Sequence, residues 1–240
     1  MVALPEPRDP TLDAMRAACE ERAAAEPRRR YVGASSIGDP CARKIWYGFH
    51  GYDAEPISSS GLFAIEDGHR SEELIASRLR LVPGIELWTH KDDGTQWGFE
   101  DFDGQYRGHI DGVIRGLIQA PVAPHIWESK SCNPKKFAAF QKAKTTFGEK
   151  QALRNWDIVY FGQAQTYMRY FNLTRHYLTV CTPGGRDIDS CRTEFDPVLA
   201  EGLAQKAQRI IKAKEPPERI GKADYFLCRM CRFKGVCHAA

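Results

Sequence analysis

Several features are missing from this sequence, and each absence narrows the reading. No apolar run in the 240 residues approaches the ~20 needed to cross a bilayer. Met1 to Pro10 is rich in proline and charge and has no apolar h-region, so no secretory signal is expected and the chain reads as cytoplasmic. No Gly-x4-Gly-Lys-Ser/Thr loop is present, so the chain is not expected to be a helicase motor itself. There is no internal repeat and no low-complexity segment. Charge of one sign is not in excess: 34 Lys and Arg face 31 Asp and Glu, for a net charge of +3. That balance permits a polyanionic partner without demanding one, because strongly electrostatic binders have pI values above about 9. The sharpest local charge, Arg28-Arg29-Arg30, fits a solvated linker as well as a phosphate contact.

What is present is a chain long enough for one large domain or two small ones with a buried core. Thr11 to Ala25 reads as a helix ended by Pro27. Ser35 to Pro40 reads as a turn, followed by a helix carrying Cys41, Ile45 and Trp46. The apolar positions Leu62, Ile65, Leu74, Ile75 and Leu79 follow the helical period, and Pro83-Gly84 ends that helix. The period then shortens. Strands are expected at 85–90, 96–102, 106–117 and 125–131. A short helix over 134–142 and a long one over 152–171 follow. Two strands flank Pro183-Gly184-Gly185, and a last helix covers 197–213. Helices around a small strand group define a mixed α/β class.

The chemistry concentrates in Gly108-His109-Ile110-Asp111-Gly112 and Trp127-Glu128-Ser129-Lys130. On a strand, residues two apart share a face, so Glu128 and Lys130 project together. If the two strands pair, Asp111 faces them across the ladder. Adjacent carboxylates are costly without a cation between them. Mg²⁺ takes oxygen ligands, polarises a phosphodiester and acidifies water. A lysine beside it stabilises developing charge. Taken alone, the triplet also fits an exposed strand with a salt bridge. The glycines flanking Asp111 favour close backbone approach.

With these motifs in order, the chain resembles the RecB-type and Cas4-type branch of the PD-(D/E)XK nucleases. The resemblance runs from about Ser35 to Cys237. It implies a restriction-endonuclease-like core, a small central mixed sheet flanked by helices, within a single domain over 1–240. By that resemblance His69, in Glu66-Asp67-Gly68-His69-Arg70, is a metal ligand with Asp111, Glu128 and the backbone carbonyl of Ser129. Lys130 is the catalytic lysine. Gln163 and Tyr167, four apart and on one helix face, position the lysine, the DNA or both. The family often has an aliphatic residue where Ser129 stands.

Eight cysteines are present, and disulfides explain them poorly in a reducing compartment. Cys228-x2-Cys231-x5-Cys237 has the spacing of a single metal centre, and Cys41 is the candidate fourth thiolate. This layout resembles the iron–sulfur form of the same branch, which implies a [4Fe–4S] cluster. Residues 31–60 and 214–240 would together form the cluster-binding part and join the N- and C-terminal helical regions. Zinc is the rival, with His238 next to Cys237.

The resemblance implies a Mg²⁺- or Mn²⁺-dependent DNA exonuclease acting on single strands or duplex ends, in phage or prokaryotic recombination, replication or repair. A separate recombinase, annealing protein or helicase is the expected partner, and no membrane. A Cas4-type role in CRISPR spacer acquisition and a non-catalytic iron–sulfur DNA-binding module are the alternatives. Trp88, Trp97, Trp127, Trp156 and the tyrosines near Tyr160 fit either stacking on unpaired bases or a core.

Overall fold

A computed structural model describes residues 9–239. The reading of Met1 to Pro10 falls mostly outside them.

Helix α1 (Pro10–Ala25) starts on Asp9, whose carboxylate accepts from the Thr11 and Leu12 amides. It buries no residue. It is tied to the next long helix where Glu20 accepts from the Ser59 amide at 2.6 Å. Then follow β1 (Val32–Gly33), the short helix α2 (Ala34–Ile37), α3 (Ala42–Phe49) and α4 (Ser59–Leu79). Strands β2 (Glu86–Trp88), β3 (Gly98–Asp101), β4 (Tyr106–His109), β5 (Gly112–Arg115) and β6 (His125–Ser131) form the middle of the chain. Three helices, α5 (Pro134–Phe147), α6 (Glu149–Trp156) and α7 (Ile158–Tyr170), lead to β7 (Arg175–Cys181) and β8 (Ile188–Glu194). Helix α8 (Pro197–Lys212) and the short α9 (Phe226–Arg229) and α10 (Lys234–His238) complete the fold.

The strands form two sheets. One has the order β2-β5-β6-β7-β8, and the smaller one β1-β4-β3. Only β6 and β7 are parallel within the larger sheet, so a crossover must join them, and α5 to α7 supply it. Strand β6 is central and buried from His125 to Ser129. Its Trp127 packs with Ile75, Ala76, Leu87 and Ile114. This fixes Trp127 as core rather than a base-stacking ring. On α7, Phe161 to Met168 are buried without interruption, as befits a helix enclosed on all sides.

Three sequence expectations change. The strand expected over 106–117 divides into β4 and β5, which belong to different sheets. The chain passes from one sheet to the other at Ile110-Asp111, where the Ile110 amide still donates to Trp97 at 3.0 Å. The helix expected over 152–171 divides at Asp157, which is extended, and its carboxylate accepts from the Val159 and Tyr160 amides. Asp157 thus ends one helix and caps the next. The helix expected over 134–142 runs on to Phe147, until Gly148 adopts φ 79°.

The region of α3 meets the C-terminal part of the chain. The Trp46 indole of α3 donates to the Ala213 carbonyl at 2.8 Å, and Arg43 donates to the Pro217 carbonyl at 2.8 Å. The Glu55 amide donates to the Arg232 carbonyl at 2.7 Å, and the Tyr47 and Phe233 rings lie 5.7 Å apart.

Candidate active site

The pairing of β5 with β6 sets the site. Gly112 lies opposite Trp127, so the residue before Gly112 meets the residue after Trp127. Asp111 and Glu128 are thereby brought together from elements 17 residues apart. The Asp111 amide donates to Glu128 Oε1 at 3.3 Å, and the Ser129 amide donates to Asp111 Oδ2 at 2.8 Å. In a strand, the N–H and C=O of one residue point to the same edge, so the Ser129 carbonyl faces Asp111 as well. Lys130 Nζ donates to Glu128 Oε2 at 2.7 Å and lies 3.7 Å from Asp111 Oδ2. The side chain of Glu128 is 2% exposed and that of Lys130 20%, so the carboxylate forms the floor and the ammonium the mouth. Close approach at Gly108 allows this crowding: a Cβ there would lie 2.7 Å from both Ala34 Cβ and Tyr167 Cε1.

Helix α7 closes one side. Gln163 Nε2 donates to the Tyr167 hydroxyl at 3.1 Å, with both residues buried. Burial, and then the charge of Glu128, push the Tyr167 hydroxyl up, so it stays protonated and able to donate.

Helix α4 contributes a residue that the motif reading passed over. Glu72 is half-buried, and its carboxyl is pushed up to about 7 by burial first and by the Asp111 carboxylate second. Its neighbours Ser71, Ile75 and Ala76 are buried, so the helical period alone marks Glu72 as inward-facing. His69 lies one turn earlier and is exposed. Among the described residues it makes no hydrogen bond to Asp111, Glu128 or Lys130. The structure therefore gathers Asp111, Glu128, Ser129, Lys130, Gln163 and Tyr167, adds Glu72, and leaves His69 on the surface.

The electrostatics of this group are unbalanced. Three carboxylates face one ammonium. Glu128 is pushed up to about 8 by burial and then by Asp111, against the pull of Lys130. For Lys130, burial opposes the charge, but Asp111 and Glu128 outweigh it and hold the ammonium well above its ordinary range. Such a site takes up protons or a cation. The hard oxygen donors suit Mg²⁺ or Mn²⁺. Among the described residues, no group of three or more His, Cys, Asp or Glu side chains is arranged to hold a metal ion.

The described cysteines likewise form no such group. All eight are free thiols. Cys228 and Cys237 are buried, and Cys41 and Cys231 partly so. They are nonetheless neighbours. The Cys41 thiol is pushed up by burial, then by Asp39, Cys231 and Cys237. The Cys228 thiol is pushed up by burial, then by Cys237 and Cys231. Cys41 Sγ also accepts from the Lys44 amide at 3.4 Å, at the start of α3. Cys231 and Cys237 thus lie near both Cys41 and Cys228, and four sulfur donors suit a thiolate-bound centre in their chemistry.

No family model matches this sequence, and no curated protein matches it. Solved structures do. The chain is similar to an alkaline exonuclease (LHK-Exo) from Laribacter hongkongensis, with a TM-score of 0.51 at 14% identity, covering 81% of this chain and 90% of that one. The same exonuclease in complex with dAMP gives 0.50 at 14% identity, over 83% and 90%. A phage related exonuclease from Haemophilus somnus 129PT gives 0.50 at 14% identity, over 75% and 91%. At these identities the likeness is one of fold: this chain has the mixed α/β fold of those exonucleases.

Proposed function

We propose that this chain is a metal-dependent DNA exonuclease of the PD-(D/E)XK kind. One observation carries the reading: Asp111, Glu128 and Glu72 crowd around Lys130 at a β5–β6 junction, within a fold shared with exonucleases. Asp111, Glu128 and the Ser129 carbonyl are the ligands for Mg²⁺ or Mn²⁺. Glu72 supports them, and His69 stands one turn away on the same helix. A bound divalent cation supplies Lewis acidity toward a phosphodiester oxygen and makes water a better nucleophile. Lys130 orients that water and balances the charge that builds on the phosphate. Gln163 holds the Tyr167 hydroxyl, which in turn faces Lys130 and keeps it aimed at the substrate. The solved alkaline exonuclease binds dAMP. We expect deoxynucleoside monophosphates as the product here as well, released from single strands or duplex ends.

We further propose that Cys41, Cys228, Cys231 and Cys237 hold a [4Fe–4S] cluster, with residues 31–60 and 214–240 as its binding part. Its role would be structural: ligands from both ends of the chain close a very long loop, which removes unfolded-state entropy. A cytoplasmic setting in phage or prokaryotic recombination, with a separate recombinase, annealing protein or helicase, suits such an enzyme.

Anaerobically purified protein incubated with end-labelled single- and double-stranded DNA tests the proposal. Mg²⁺- or Mn²⁺-dependent release of mononucleotides, abolished by EDTA and by Lys130→Ala, is expected. No cleavage with either metal, from protein whose iron is intact, would overturn it.

A further inference from the structure

Beside Lys130 lie a second cation and a ring that the chemistry at Asp111 and Glu128 leaves unused. Tyr160, Gln163 and Tyr167 fall at i, i+3 and i+7 of α7 and so share one helical stripe. The Tyr160 ring stands between two ammonium groups: Lys130 Nζ lies 5.7 Å from its centroid and Lys136 Nζ 4.7 Å. Lys136 sits in the first turn of α5, just past the end of β6. Its side chain is held firmly. Nζ donates to Asp157 Oδ2 at 2.8 Å and lies 5.1 Å from the Trp156 ring, while the Trp156 indole donates to the Lys136 carbonyl at 3.0 Å.

Despite these contacts the Lys136 side chain is 39% exposed. Among the described residues, the Tyr160 hydroxyl makes no hydrogen bond, and it is not a sealed buried group. Asp157 pairs with Lys136 through one oxygen, while its other oxygen accepts from two amides at the start of α7, so the ammonium is held in a fixed place yet stays partly open to solvent. The result is a partly exposed strip running from Lys130 across the Tyr160 ring to Lys136. Preordered cations and donors of this kind suit phosphate oxygens. They also answer a need: three carboxylates repel a polyanion, and a strand must be drawn in beside them.

We propose that Lys136 and the Tyr160 hydroxyl hold the DNA backbone phosphate adjacent to the scissile one. This rests on the nuclease reading above. Lys136 is a substrate-binding residue, and Tyr160 both binds and keeps Lys130 and Lys136 apart.

The test is affinity for a fluorescein-labelled single strand in EDTA, where no cleavage occurs, measured across a salt series. For Lys136→Gln, the slope of log affinity against log salt should fall by about 0.7, the value for one lost phosphate contact on a single strand. Lys136→Arg should keep the parent slope, as should Lys142→Gln on the exposed side of α5. With metal present, Lys136→Gln and Tyr160→Phe should raise KM with little change in kcat, the mark of lost uniform binding. A parent that cuts DNA beside a Lys136→Gln slope equal to its own overturns the station alone. A fall in kcat at constant KM does the same, since it would make Lys136 a prop for Lys130. A parent that neither binds nor cuts DNA overturns the nuclease reading and this station with it.

Discussion

Replacing Gly108 by alanine should damage the fold and the site together. A Cβ at this position would lie 2.7 Å from Ala34 Cβ, 2.7 Å from Tyr167 Cε1 and 2.8 Å from Phe99 Cε1. These atoms belong to α2, α7 and β3, so relief in one direction presses on another. Ala34, Phe99 and Tyr167 are all buried and have little room to move. Overpacking a core costs roughly 1–3 kcal/mol, and three opposed contacts place Gly108→Ala at the upper end, about 3 kcal/mol. That is a large share of the ~5–15 kcal/mol by which a domain is stable. The Tyr167 ring is one of the three neighbours and is tied to Gln163, so residual folded protein should also lose activity through the Gln163–Tyr167 pair. Gly68, on α4, is the counterpart. It is helical, and a Cβ added there would meet nothing within 4 Å. Gly68→Ala should therefore stabilise the chain by roughly 0.5–1 kcal/mol, the helical cost of glycine. Urea unfolding of both variants beside the parent gives the values. A Gly108→Ala variant within about 0.5 kcal/mol of the parent, or one more stable than Gly68→Ala, would refute this account of the junction.

Further outcomes follow from the charges. Glu128 and Glu72 hold protons in the folded chain at pH values where unfolded carboxyls have lost them. Their contribution to stability is therefore present below the ordinary carboxyl range and lost as pH rises through about 7 to 8. In EDTA, Tm should fall as pH rises from about 4.5 to about 8 and then level off, and Mn²⁺ should raise Tm more at the higher pH, where the ligands are ionised. A metal effect independent of pH would contradict this. Glu72→Gln should raise the Mn²⁺ concentration for half-maximal cleavage by about 10–100-fold, the usual cost of losing a supporting carboxylate, while His69→Ala should have a smaller effect. The reverse ranking would restore His69 as the ligand. Cys237→Ser should remove iron, sulfide and visible absorbance together and lower Tm. Stoichiometric zinc without sulfide in the parent would instead identify a zinc site.

Much of the grouping around Lys130 was legible in the sequence because strand geometry is strict. Once Glu128 and Lys130 are on one strand, they share a face whatever surrounds them, and Asp111 needed only the adjacent pairing that β5 and β6 make. Gln163 and Tyr167 were legible for the same reason, at helical spacing. The departures occur where a tertiary contact overrides local pattern. Apolar alternation from Tyr106 onward runs straight through Ile110-Asp111, because Ile110, Gly112 and Ile114 are all buried although two sheets share them. Nothing in that alternation marks the change of sheet. Asp157 breaks a helix through its side-chain cap, a role that an aromatic-rich window conceals. On α4, motif resemblance favoured His69, whereas burial favours Glu72 three residues on. The period of Ser71, Ile75 and Ala76 carried that signal, and a motif anchored on histidine overlooked it.

The central claim is that the acids around Lys130 are one divalent-metal centre for DNA cleavage. Calorimetric titration of Mn²⁺ into the parent and into Asp111→Asn, with cleavage of end-labelled DNA followed on the same samples, tests it most directly. The account predicts saturable Mn²⁺ binding and mononucleotide release in the parent, and loss of both in the variant. Equal Mn²⁺ binding by the two proteins, or cleavage that persists in EDTA, would contradict it.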